Sequence, residues 1–197
     1  MNLFFTVFLL TARAFASDGV GAHGGNVILC QGKPTVTLDY YNAALPTPLG
    51  PADIIDVESM TFDQVVEFFS NRLVGTALGL KLERAAEVLG KFNSWRVADI
   101  KDIDDANEPY IPAPNCERKT GAIRQGDFIY LDRTILPQLS QAQRALLYLH
   151  ELLYFIKGGD SSQPIREFFS VALKREIEEI PWIAAVRKIS GFYLYEI

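Results

Sequence analysis

The chain has 197 residues, of which 49% are hydrophobic and 22% charged, and its formal net charge is −5. That much apolar side chain excludes a collagen-like, mucin-like or disordered polymer, and the length suits one globular domain. The acidic balance argues against an electrostatic clamp on nucleic acid, which needs clustered lysine and arginine, so no nucleic-acid partner is expected.

Residues 3–10 (LFFTVFLL) form an apolar run, and Ala14-Phe15-Ala16 follows as a small-x-small cleavage signal. This predicts a secretory signal peptide over 1–16, with Ser17 as the first residue of an exported protein in the periplasm or outside the cell. One feature departs from the usual pattern: the only basic side chain, Arg13, lies after the apolar run. A membrane span needs about 20 apolar residues. This run is shorter and no later segment qualifies, so no membrane span is expected in the mature chain. Residues 17–197 are expected to form a single globular domain. Export and an even count of two cysteines, Cys30 and Cys116, favour one disulfide. No Cys-x-x-Cys pair supports a thioredoxin-like role.

In chain order, GVGAHGG at 19–25 is a mobile or turn-forming start. NVILCQ and TVTLDYY flank a Lys33-Pro34 turn, and Val36, Leu38 and Tyr40 alternate with polar residues, which reads as a β-hairpin. The prolines of LPTPLGP at 45–51 exclude helix. Thr61 caps a predicted helix over 62–74, and Leu78, Leu82, Ala85, Ala86 and Leu89 keep helical spacing over 77–93. A strand is expected over 96–100. The acidic, then proline-rich stretch 99–115 is expected at the surface. Asp102, Asp104, Asp105 and Asn107 within it lack the glycine and glutamate of a calcium loop. CERKTGAIRQGDFIYLD at 116–132 reads as a second hairpin, with Gln125-Gly126-Asp127 as its turn. Helices are predicted over 140–157 and 164–179; Trp182 and FYLYE at 192–196 suit a last strand or a partner surface. The fold class expected is α+β, with about four helices, two small β-hairpins and a central buried helix at 140–157.

That helix, SQAQRALLYLHELLYFIKGG with its flanks, carries Ser140 and Gln143 as a capping box and Gly158 as its end. Ala142, Ala145, Leu146, Leu149, Leu153 and Ile156 form its core stripe, and further apolar residues occupy other faces. His150 lies at the edge of the stripe. A charged Glu151 on a buried helix needs a partner, and Arg144, two turns away, is the expected one; alternatively His150 and Glu151 satisfy each other. In zinc peptidases of the HExxH type, histidines at i and i+4 share a face and the glutamate is the general base. Here HELLY places Tyr154 at i+4. The remaining histidine is His23. Glu176, projecting from an apolar helical face of Ile165, Phe168, Phe169, Ala172, Leu173 and Ile180, is the acidic residue that could complete a zinc site with His150 and His23.

Three patches, GAHGGNVILC at 21–30, LHELLY at 149–154 and GDSSQPIREFF at 159–169, together resemble a set of uncharacterised exported proteins of Bdellovibrio-like predatory bacteria. The resemblance implies that His23, Cys30, His150, Glu151, Asp160, Ser161 and Arg166 recur as a constellation, and it brings no established activity. Read on its own, the third patch places Ser161 or Ser162 as a helix N-cap and Pro164 in the first turn. Arg166 then binds preceding carbonyls or Glu151, or forms an anion site with the helix end.

Two functions follow. The first is a non-enzymatic exported domain that binds a protein or envelope partner and needs no cofactor. The second is a hydrolase of peptide or cell-wall bonds, with His150, Glu151 and Arg166 as catalytic residues and zinc as the conceivable metal.

Overall fold

The computed structural model describes residues 25–46, 53–91, 94–101, 113–125, 128–158 and 161–190. The segment 1–16 expected as a signal peptide, His23, the acidic stretch 102–107, Asp160 and the apolar end 192–196 lie outside the described residues.

The helix over 141–157 organises the rest. This helix, α4 (Gln141–Lys157), starts where Ser140 Oγ accepts the Gln143 amide at 3.1 Å and stops at Gly158, whose φ of 63° is the left-handed conformation that glycine adopts freely. Eleven of its residues from Ala142 to Tyr154 are buried, on more than one face. One buried cluster takes side chains from α4 and from every other helix of the described fold: α1 (Leu38–Ala44), α2 (Phe62–Leu73), α3 (Ala77–Lys91), α5 (Gln163–Ala172) and α6 (Glu179–Ser190). Phe69, Phe168 and Phe169 meet edge-to-face or tilted at its centre, and Trp182 of α6 closes over Phe168 at 5.6 Å. Helix α2 has a full capping box: Thr61 Oγ1 accepts the Gln64 amide, and Gln64 Oε1 accepts the Thr61 amide at 2.8 Å.

Two three-stranded sheets lie beside the helices. The first has the order β2-β1-β4, from β1 (Asn26–Cys30), β2 (Val36–Thr37) and β4 (Cys116–Thr120), all antiparallel. The second has the order β3-β6-β5, from β3 (Trp95–Ala98), β5 (Ala122–Gln125) and β6 (Phe128–Asp132), with β3 parallel to β6. Gly121 links the two sheets. Its amide and that of Ala122 both donate to Gly25 O, at 2.8 and 3.0 Å. A Cβ there would lie 2.8 Å from Val27 Cγ1.

The α+β class and the central helix hold; several details of the sequence reading are corrected. Six α-helices are present among the described residues rather than four. The strand read in TVTLDYY ends at Thr37, because Thr37 Oγ1 caps α1 by accepting the Tyr40 amide and Leu38, Asp39 and Ala43 turn inward at helical spacing. The second predicted hairpin divides at Gly121: β4 joins the first sheet and only β5 and β6 pair with each other. The helix predicted over 164–179 stops at Ala172. There the chain pairs instead with residues 53–55, through Ile55 N to Leu173 O (2.8 Å), an Ile54–Lys174 bridge and Arg175 N to Asp53 O (3.2 Å). The helix that follows, α6, accepts Pro181 because its first turn needs no amide donor there.

Cys30 and Cys116 form the expected disulfide between directly opposed residues of β1 and β4, with Cα atoms 4.0 Å apart. It closes a loop with a sequence separation of 86 residues, and removing that loop's freedom from the unfolded chain is worth roughly 4–5 kcal/mol. The double variant Cys30→Ser/Cys116→Ser is therefore expected to unfold at lower denaturant by several kcal/mol of stability. A loss below about 1 kcal/mol in equilibrium unfolding would contradict the pairing as a constraint on the fold.

Candidate functional site, a buried carboxylate–imidazole cluster

Helix α4 presents His150 and Glu151 to two different pieces of the N-terminal part of the chain. His150 Nδ1 lies 2.8 Å from Asp39 Oδ2 of α1, both side chains 3% exposed. Glu151 Oε1 accepts the Gly25 amide at 2.7 Å, at the start of β1. Asp39 sits in the first turn of α1, where the positive helix end favours a carboxylate, and Thr37 sets where that turn begins. An added Cβ at Gly25 would stand 2.3 Å from Leu147 Cδ1 and 2.8 Å from Glu151 Oε1, so these two buried side chains would have to shift. The chain thus reaches the carboxylate closely enough for a main-chain bond because a side chain is missing there.

The electrostatics follow from enclosure. Burial alone pulls the His150 pKa down, but the facing Asp39 carboxylate, the hydrogen bond to it and the nearby Glu151 outweigh this and raise it to about 9. At neutral pH His150 is an imidazolium and the pair is a buried salt bridge. Burial pushes the Glu151 carboxyl above the usual carboxylate range, against the opposing pull of His150, the Gly25 amide and Arg124. Each of the three side chains keeps one buried polar atom, Asp39 Oδ1, His150 Nε2 and Glu151 Oε2, with no hydrogen-bond partner among the described residues.

A second polar group continues the contact one face along. Gln143 is fully buried and its Oε1 accepts both the Thr37 amide (2.7 Å) and Thr37 Oγ1 (3.0 Å). Its Nε2 donates to Glu58 Oε1, and Glu58 Oε2 accepts from Ser140 Oγ at 3.0 Å. Gln143 therefore does not reach back to its own N-cap, as a capping box would have it; Thr37 and Glu58 take its side chain instead.

Of the residues singled out in the sequence, the structure brings His150 and Glu151 together with Asp39 and Gly25. Asp39 was missed because alternating apolar residues suggested a strand there; the signal that reveals it is the N-cap pattern of Thr37 followed by an acidic residue in the first turn. Arg144 does not pair with Glu151: its Nε donates to Leu136 O and Leu139 O, each at 3.1 Å. Arg166 Nη1 donates to Ser162 Oγ at 3.0 Å, while Ser161 Oγ accepts the Gln163 amide at 3.2 Å. Glu176 is exposed in the connection from α5 to α6, so it does not project from an apolar helical face toward His150. Tyr154, where a second histidine would stand in a zinc peptidase, lies parallel to the His150 ring, with centroids 6.4 Å apart. Among the described residues no group of three or more His, Cys, Asp or Glu side chains is placed to hold a metal ion. No helix there is long and apolar enough to cross a membrane.

Comparisons with protein-family models, curated proteins and solved structures found no match to this chain.

The raised His150 pKa carries a signed consequence for stability. Its contribution is complete below the unfolded value of about 6.5 and is lost as pH rises through the folded value of about 9. Its full size is on the order of 3 kcal/mol. Glu151, also raised, acts in the same direction at lower pH, because the folded state favours its protonated form. Urea unfolding at pH 6.5 and pH 9.5 should therefore show a clear loss of stability, and Asp39→Asn should abolish that loss. A pH-independent wild type over this range would refute the buried salt bridge. Gly25→Ala is expected to cost about 1–3 kcal/mol through overpacking, read in the same experiment, and a neutral result would show that the approach to Glu151 is slack.

Proposed function

We propose that the protein is an exported, non-catalytic binding domain in which Asp39, His150 and Glu151 are an internal clamp. The observation that carries this reading is that each member is at most 2% exposed and uses a polar atom on a distant part of the chain: His150 bonds 111 residues away, and Glu151 bonds 126 residues away. A general base or metal ligand has to face a substrate, whereas these groups face the protein's own α1 and β1. Four clefts lined by described residues include none of the three. Export is supported by the signal-peptide pattern over 1–16, by the disulfide between Cys30 and Cys116, and by the resemblance to exported proteins of predatory bacteria. The partner on this reading is a protein or another component of the cell envelope.

A hydrolase is the second reading, favoured by one observation: His150 Nε2 and Glu151 Oε2 have no partner among the described residues and point to no structural use. The zinc form of it depends on His23, outside the described residues, together with His150.

The two separate in one set of measurements on the mature protein, with His150→Gln and Glu151→Gln beside it. The clamp predicts that both variants melt lower and that wild type releases fragments from casein and from peptidoglycan no faster than buffer. Hydrolysis by wild type that disappears in Glu151→Gln at an unchanged melting temperature would overturn it. So would one zinc per chain by elemental analysis, lost in His150→Gln. Export predicts amino-terminal sequencing that starts at Ser17; protein retaining Met1 in the cytoplasm would contradict it.

A further inference from the structure

A pocket of ≈ 260 Å³ lies where the start of α2, strands β3 and β6, the short 3-10 turn Leu136–Gln138 and α4 meet. Its walls are aromatic. The Trp95 ring lies 4.8 Å from that of Tyr148, tilted by 31°, and the Phe62 ring lies 5.6 Å from that of Tyr148. Buried Leu147 contributes to the lining.

Among the described residues, Arg144 is the one charged side chain in this lining. Its Nε donates to two main-chain carbonyls, Leu136 O and Leu139 O, both at 3.1 Å. Those bonds hold the guanidinium in place. Arg144 is exposed, and its Nη1 and Nη2 groups make no hydrogen bond and no ion pair among the described residues, so the guanidinium sits at the rim of an apolar cavity with its outer donors open to a ligand. A fixed guanidinium matches a carboxylate with two parallel hydrogen bonds, and because it is already ordered, little freedom is lost on binding. Aromatic walls with one convergent polar group are the usual make-up of a small-ligand site, and the volume has room for a single ring-sized group.

We infer that this pocket binds a carboxylate carried on one aromatic or bulky apolar group. Two sources share that chemistry: the C-terminal residue of a peptide and a free aromatic acid. The inference goes beyond the binding-domain reading and does not depend on the clamp, since neither Asp39, His150 nor Glu151 lines the pocket.

Calorimetric titration of the folded mature protein tests it with four probes: 3-phenylpropionate and its amide, and acetyl-Gly-Gly-Phe as free acid and as amide. Both acids should saturate, and each amide should bind about tenfold or more weakly, the loss of a charge-assisted hydrogen bond. Arg144→Gln should weaken the acids by a similar factor and leave the amides unchanged. Tighter binding of the tripeptide acid identifies a peptide C-terminus as the source, and tighter binding of 3-phenylpropionate identifies a free acid. Failure of both acids to saturate wild type, or equal binding of acid and amide, overturns the proposal. The acid–amide comparison uses wild type, so it holds even if Arg144→Gln folds poorly.

Discussion

The fold depends on a carboxylate and an imidazole, Asp39 and His150, that face each other while both are buried. A lone carboxylate or imidazolium inside a protein is costly, and removing one member of such a pair leaves the other stranded, at a cost of about 3–5 kcal/mol. Asp39 and His150 sit 111 residues apart in sequence and 2.8 Å apart in space. Their meeting fixes the seven-residue helix α1, too short to be stable by itself, against the long helix α4. Net stabilisation from a buried pair is small next to the penalty for breaking it. Its effect is thus to select one arrangement of α1 on α4 more than to strengthen the core.

The same logic fastens the rest of the N-terminal part. Strand β1 is held at its start by the Gly25 amide on Glu151 and at its end by the disulfide from Cys30 to β4. The residue after β2's Val36, Thr37, gives both its amide and its hydroxyl hydrogen to Gln143 on α4. Gln143 and the His150–Glu151 pair lie two turns apart along one helix, so α4 grips the chain on both sides of the β1–β2 turn. Glycine at 25 and 121 makes the approach close enough, because side chains at those positions would overlap Leu147 and Val27. Apolar burial supplies the bulk of the driving force; this polar network specifies where the small sheet sits.

The long elements were legible in the sequence because two independent signals agreed. Helices α2 and α4 combine an apolar stripe with a hydroxyl N-cap, and α3 keeps its 3.6-residue spacing throughout. The disulfide followed from two cysteines in a chain whose start reads as a signal peptide. The short elements were not legible. Val36, Leu38 and Tyr40 alternate as a strand would, and three residues cannot distinguish that pattern from the first turn of a helix. Helix α5 ends where residues 53–55 capture its exit, a long-range contact with no local signature. This displaced Glu176 from the helical face that spacing assigned to it. His150 and Glu151 were visible as chemistry on a buried helix. Their partners were not, since one is a main-chain amide and the other an aspartate read as facing solvent from a strand. Arg144 was paired with Glu151 on helical projection, yet main-chain carbonyls just before α4 lie nearer and hold it at the aromatic pocket.

On this account α4 serves two ends: its His150–Glu151 face holds α1 and β1, and Arg144 and Tyr148 line the aromatic pocket proposed to take a carboxylate. The first of these is the central claim, and it concerns the charge on a single imidazole. The most direct measurement is a nitrogen-15 and carbon-13 NMR titration of the imidazole rings, with His23→Gln as the assignment control for a chain holding two histidines. The account predicts that His150 keeps both ring protons through neutral pH and titrates near 9, with an Nδ1 proton coupled to Asp39. A His150 ring that titrates at or below its ordinary value of 6.5 would contradict it.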